Sequence, residues 1–143
     1  MTMPLKVNDL MTSHPETVQP TDMLAVVEEK MRRGRFRRLP VVDSTGHLLG
    51  IIADGDLREH VGYLPTTRVS AAMIEKPTTV SASASIATAA DLMVWHKVGG
   101  LPVLDGAGQL LGIITESDLL RALAETLSTG PDGAAGEGVK GAT

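Results

Sequence analysis

The sequence predicts a mixed α/β (α+β) fold, two pseudo-symmetric β-α-β-β-α units packed sheet to sheet as one module. Three observations carry this expectation. A shift of 62 positions lays Val7–Arg58 on Val69–Leu120 without a gap and with 19 identities in 52 positions, far above chance. Within each copy the apolar spacing changes from a helical period to that of short strands. Hydrophobic residues make up 43% of the 143-residue chain but aromatics only 2%, so the core must be aliphatic. Two copies are too few for a solenoid, which leaves a pseudo-two-fold pair, each copy burying the apolar face of the other.

The elements follow in order. Thr17-Val18 reads as a short strand ended by Pro20, and Thr79-Val80 matches it. A helix is expected over Asp22–Arg33, with Leu24, Val27 and Met31 along one face. Its counterpart runs from about Ser85 to His96, with Ile86, Ala89 and Met93 on that face. Two apolar runs joined by a turn then signal a hairpin, Leu39–Val42 with Leu48–Ala53, repeated as Leu101–Leu104 with Leu110–Ile114. A further helix begins at Asp54 in the first copy and at Thr115 in the second. The expected division is repeat one at 7–61, a linker at 62–68 carrying Pro65, repeat two at 69–128, and a Gly- and Ala-rich tail at 129–143. The tail has too little apolar content to order itself and is expected to be disordered.

Composition removes several function classes. Without cysteine there is no disulfide scaffold, thiol nucleophile or thiolate metal site, which fits a reducing compartment. A formal charge of −4 gives no general attraction to nucleic acid or anionic lipid. No apolar run approaches the roughly 20 residues of a membrane span. Met1 to Lys6 lacks the layout of a signal peptide, so a cytoplasmic protein is expected.

The ordered set of a helix, a Leu-Pro-Val strand, a hairpin and a Gly-Ile-Ile-Thr-x-x-Asp ending, occurring twice, resembles the cystathionine-β-synthase (CBS) domain pair, or Bateman module. The likeness covers roughly Val7 to Leu127. It implies a regulatory module and not an enzyme, with an adenosine-containing ligand (AMP, ADP, ATP or S-adenosylmethionine) between the repeats. It also implies homodimers in the form of a flat disc and an unidentified regulated partner protein.

Gly112-Ile113-Ile114-Thr115-Glu116-Ser117-Asp118 can be read in two compatible ways. Thr115 as N-cap with Asp118 three residues on resembles a capping box, although Asp is shorter than the usual Glu or Gln. Alternatively, Asp118 accepts hydrogen bonds from both hydroxyls of a ribose, through two charged oxygens. The resemblance implies the second role for Asp118, with Thr115 beside it. In the first copy Ala53 replaces the hydroxyl while Asp56 is kept, and Asp54 is expected to cap that helix. Arg37 and Arg38 lead directly into a strand, where the resemblance implies contact with nucleotide phosphates. Their counterparts Gly99 and Gly100 carry no charge. One competent cleft (Thr115, Asp118, Arg37, Arg38) and one degenerate cleft (Ala53, Asp56 and two glycines) are therefore expected.

Other candidates carry less. His14, His47, His60 and His96 show no metal-ligand spacing, and no serine sits in a nucleophile elbow. Arg32, Arg33, Arg35, Arg37 and Arg38 form a basic stretch with Phe36, but one such patch on a mildly acidic chain argues against nucleic-acid binding. The alternative to a sensor is a ligand-free dimeric scaffold for protein–protein interaction. Leu119, Leu120, Leu123 and Leu127 extend an apolar stripe past the repeat, which points to a homodimer interface.

Overall fold

A computed structural model describes residues 5–128; the tail expected at 129–143 lies outside the described residues. The chain runs α1 (Val7–Leu10), β1 (Thr12–Ser13), α2 (Leu24–Gly34), β2 (Arg38–Val42), β3 (Leu48–Ala53), α3 (Asp54–Arg58), α4 (Val69–Ala72), β4 (Ile74–Glu75), β5 (Val80–Ser81), α5 (Ile86–His96), β6 (Gly100–Leu104), β7 (Leu110–Thr115) and α6 (Glu116–Leu127). It is the mixed fold expected, with two sheets in the strand orders β2-β3-β4 and β1-β7-β6-β5.

Helical periodicity chose the right faces except at Ile86, which opens α5 half-buried and stays outside the core. Leu24, Val27 and Met31 of α2 are buried with Leu39, Val41 and Ile52 in one core, and Ala89 and Met93 of α5 lie with Leu101, Val103 and Ile114 in the other. Helix α2 begins two residues later than expected. Asp22 is drawn into the preceding turn, where its carboxylate accepts from the Gln19 amide at 2.8 Å, and the Leu24 amide donates to Thr67 of the connecting segment. Each hairpin turn is held by its aspartate. Asp43 Oδ1 accepts from the Thr45 amide, the Thr45 hydroxyl and the His47 amide, while Asp105 Oδ1 accepts from the Ala107 and Gln109 amides.

The short leading segments α1–β1 and α4–β4, absent from the sequence expectation, are exchanged between the copies. Strand β1 pairs with β7 of the second copy (Thr12 with Ile113, Ser13 with Gly112), and β4 pairs with β3 of the first (Ile74 with Ile51, Glu75 with Gly50). Val7 is accordingly buried in the second core and Val69 in the first. This exchange explains the repeated glycines at 50 and 112. A Cβ at Gly50 would lie 2.6 Å from the Ile74 carbonyl oxygen, and one at Gly112 2.5 Å from that of Thr12. The strands approach so closely that only glycine fits.

The two copies meet their own equivalents at both ends of the pseudo-dyad. Gln109 is the counterpart of His47, and its side-chain amide lies 3.0 Å from His47 Nδ1. At the other end Arg38 lies across its counterpart Gly100.

Candidate functional site

The strand-to-helix junction of the second copy builds one wall of a cleft. Backbone at Thr115 is still extended (φ −125°, ψ 167°), so its amide points away from the helix that starts at Glu116. Asp118 accepts from that amide through Oδ2 at 2.8 Å and from the Thr115 hydroxyl at 3.1 Å, while Thr115 Oγ1 accepts from the Asp118 amide at 3.4 Å. The capping box is therefore formed, and Asp suffices for it. On its other side, Asp118 Oδ1 takes an ion pair from Arg121 at 3.2 Å. Asp118 is only 12% exposed while Arg121 is 64% exposed, so the carboxylate is fixed and the arginine is free to swing. Oδ1 keeps a lone pair for a further donor, since a carboxylate has about four acceptor positions. Both positions on Oδ2 are taken by Thr115, and one becomes open only when the Thr115 hydroxyl turns away.

The facing wall comes from the connection between α2 and β2. Arg35, Phe36, Arg37 and Arg38 line the same cleft of about 310 Å³ as Thr115, Asp118 and Arg121. All four residues expected at the competent cleft are thus brought together. Arg37 is exposed and ion-paired with Asp54 at 3.5 Å. Arg38 is half-buried, and its guanidinium is held below the ordinary arginine range by burial first and by neighbouring Arg37 second, with Glu116 and Asp54 opposing.

The first-copy junction differs from expectation. Asp56 Oδ2 accepts from the Ala53 amide at 2.8 Å, repeating half of the capping box, and Asp56 does not line either cleft between the copies. Asp54 is not the cap. Ala53 occupies that position, and Asp54, already inside the helix, pairs with Arg37 and Arg58. Nor is the second cleft without charge. Its volume is about 320 Å³, and Arg38, Lys76 and His96 line it beside Ala53, Gly99 and Gly100. Arg38 reaches it by crossing the two glycines, and Lys76 arrives from the segment after β4.

Sequence reasoning missed Arg35, Phe36 and Arg121 as cleft residues. Arg121 had a readable signal, because i, i+3 spacing puts it on the helix face of Asp118. A third concavity of about 370 Å³ runs between α5 and α6 and is apolar, lined by Met93, Val94, Leu119, Leu120 and Leu123. Among the described residues there is no cluster of His, Cys, Asp or Glu able to hold a metal, and no helix is long and apolar enough to cross a membrane.

The CBS domain family model matches the chain twice, at residues 7–63 and 69–125. A CBS domain-containing protein of Dictyostelium discoideum is 36% identical over 142 residues, covering 90% of this chain and 98% of its own length. The inosine-5'-monophosphate dehydrogenase of Mycobacterium bovis is 36% identical over 120 residues; these cover 83% of this chain but only 22% of the dehydrogenase. Among solved structures, CBSX2 of Arabidopsis thaliana in complex with AMP superposes with a TM-score of 0.75 at 27% identity, covering 85% of this chain and 97% of that one.

Proposed function

The chain belongs to the CBS domain family, and from that premise we propose that it is a cytoplasmic regulatory module, not itself an enzyme, that binds an adenine nucleotide between its two repeats and signals occupancy to a partner. The observation that carries the reading is the first cleft, where a fixed, largely buried carboxylate faces a row of arginines. Asp118 accepts from the ribose hydroxyls with Thr115 beside it, and Arg37 and Arg38 take the phosphates through charge-assisted, bidentate hydrogen bonds. Phe36, exposed at the cleft, offers apolar surface for the base. Asp56 serves the second cleft at most indirectly, through the backbone at Ala53.

Electrostatics selects among the adenosyl ligands. Arg35, Arg37, Arg38 and Arg121 outnumber Glu16 and Asp118 in this cleft, so AMP, ADP and ATP are favoured. S-adenosylmethionine, a net cation despite its carboxylate, brings a sulfonium and an ammonium among those arginines and is disfavoured. The match of CBSX2, solved with AMP, supports an adenosine ligand. The enzyme relative matches over 22% of its length only, which supports a regulatory role.

The module acts as a homodimer, with the apolar groove between α5 and α6 as its interface. Leu120 and Leu123 remain exposed there, and Leu127 is exposed further along α6. A thermal-shift panel of adenosine compounds tests the proposal. Ligand at a hundred times its Kd adds about 2.7 kcal/mol by mass action, so ADP and ATP should raise the melting temperature more than adenosine does. No shift with any adenosine compound would replace the sensor by a ligand-free interaction scaffold, the reading that the same apolar groove favours.

A further inference from the structure

A single side chain stands between the two clefts. Arg38 lines both. Its stem crosses the backbone of Gly99 and Gly100 so closely that a Cβ at Gly100 would lie 2.6 Å from Arg38 Cδ, and one at Gly99 2.7 Å from Nη2. Arg38 and Gly100 are equivalents in the duplicated sequence, so they meet where the pseudo-dyad passes. That position has room for one long side chain, which both halves face. An arginine at 100 would meet Arg38 in clash and in charge.

We infer that Arg38 is a shared anion-binding residue, turning to whichever cleft holds a phosphate-bearing ligand, so that filling one cleft weakens phosphate binding in the other. This rests on the nucleotide reading of the first cleft. The guanidinium is half-buried and feels Glu116 and Asp54 only through space; among the described residues it makes no hydrogen bond or ion pair that would tie its donors to one side. A guanidinium fork is planar and directional. A phosphate that engages it bidentately fixes its orientation as well as its charge. The other cleft is then left with Lys76 and His96 when the first is filled, or with Arg35, Arg37 and Arg121 when the second is filled. Because the clefts are linked through one group, the coupling is reciprocal.

Calorimetric titration with ADP tests the inference on four proteins. The parent should show a tight step and a weak step. Asp118→Asn should remove the tight step and leave the second cleft binding roughly ten-fold more tightly than the parent's weak step, the effect of regaining one charged hydrogen-bond partner. Adding Arg38→Met to Asp118→Asn should return that affinity to the weak value. Gly99→Ala pushes only on the far ends of Arg38 and Glu116, so it should spare the fold. It should bias Arg38 to the first cleft, keeping the tight step and weakening the second. A remaining step that is unchanged by Asp118→Asn, or unaffected by Arg38→Met, would overturn the sharing. So would loss of all binding in Asp118→Asn, which leaves the first-cleft reading intact. No binding by the parent would instead overturn the nucleotide reading and the sharing with it.

Discussion

Replacing Asp118 by alanine separates the capping role of its carboxylate from the ribose contact proposed for it. In the free protein the change removes the bonds to the Thr115 amide and hydroxyl, a cap contribution of about 1 kcal/mol. The ion pair to the exposed Arg121 adds little, as surface pairs do. The melting temperature should fall by about 4 °C on that account. Asp56→Ala removes the equivalent bond to the Ala53 amide and should cost a similar amount. Binding tells the two apart. Asp118→Ala also leaves two ribose hydroxyls without a charged acceptor, each bond being worth about 1.5–3 kcal/mol at most. The Kd for ADP should therefore rise roughly ten-fold or more, while Asp56→Ala leaves the tight step nearly unchanged. Asp118→Asn keeps an oxygen for the cap and removes the charge, so a loss of affinity there is not a loss of folding. Calorimetry and thermal melts on the three variants give both quantities. Equal loss of affinity in the Asp56 and Asp118 variants would refute the assignment of the ribose to Asp118.

Three further outcomes follow from the packing. Gly112→Ala forces a Cβ to within 2.5 Å of the Thr12 carbonyl oxygen and should destabilise the fold by about 1–3 kcal/mol in urea unfolding; parent-like stability would mean β1 does not sit against β7. Leu123→Lys, in the groove between α5 and α6, should dissociate the proposed dimer in sedimentation. A parent that is monomeric at micromolar concentration would remove the interface. Asp43 is held below the ordinary carboxylate range, first by the Thr45 hydroxyl and then by the Thr45 amide. A lowered folded value contributes stability that is present above the unfolded value and lost as pH falls through the folded one. Asp43→Asn should therefore flatten the melting-temperature decline below about pH 4; an unchanged acid limb would show that the turn does not contribute.

How much could be read beforehand depended on how far a feature repeats along the chain. The faces of α2 and α5 and both hairpins were legible, because Leu24, Val27 and Met31, or Leu39 to Val42, follow periods that burial imposes. The meeting of Arg37 and Arg38 with Thr115 and Asp118 was implied by the family resemblance, since the duplication alone does not say which end of one copy faces the other. The exchanged segments were not. Thr12-Ser13 and Ile74-Glu75 are two-residue strands with exposed side chains, too short for any pattern, and their signal lies only in the glycines they oppose at 112 and 50. The charge of the second cleft was hidden for a related reason. Gly99 and Gly100 read as an absence, whereas in three dimensions their bare backbone admits Arg38, while Lys76 and His96 come from outside the matched motifs. Asp54 was misread as a cap because an acidic residue near a helix start suits either Ncap or the first turn; with Ala53 extended, Asp54 falls inside the helix.

The central claim is that an adenine nucleotide lies between Asp118 and the arginines that precede β2. A crystal structure of the chain grown with saturating ADP tests it most directly. Ribose hydroxyls should lie within hydrogen-bonding distance of the Asp118 carboxylate, with phosphate oxygens on Arg37 and Arg38. An empty first cleft, or nucleotide in the second cleft alone, would contradict it.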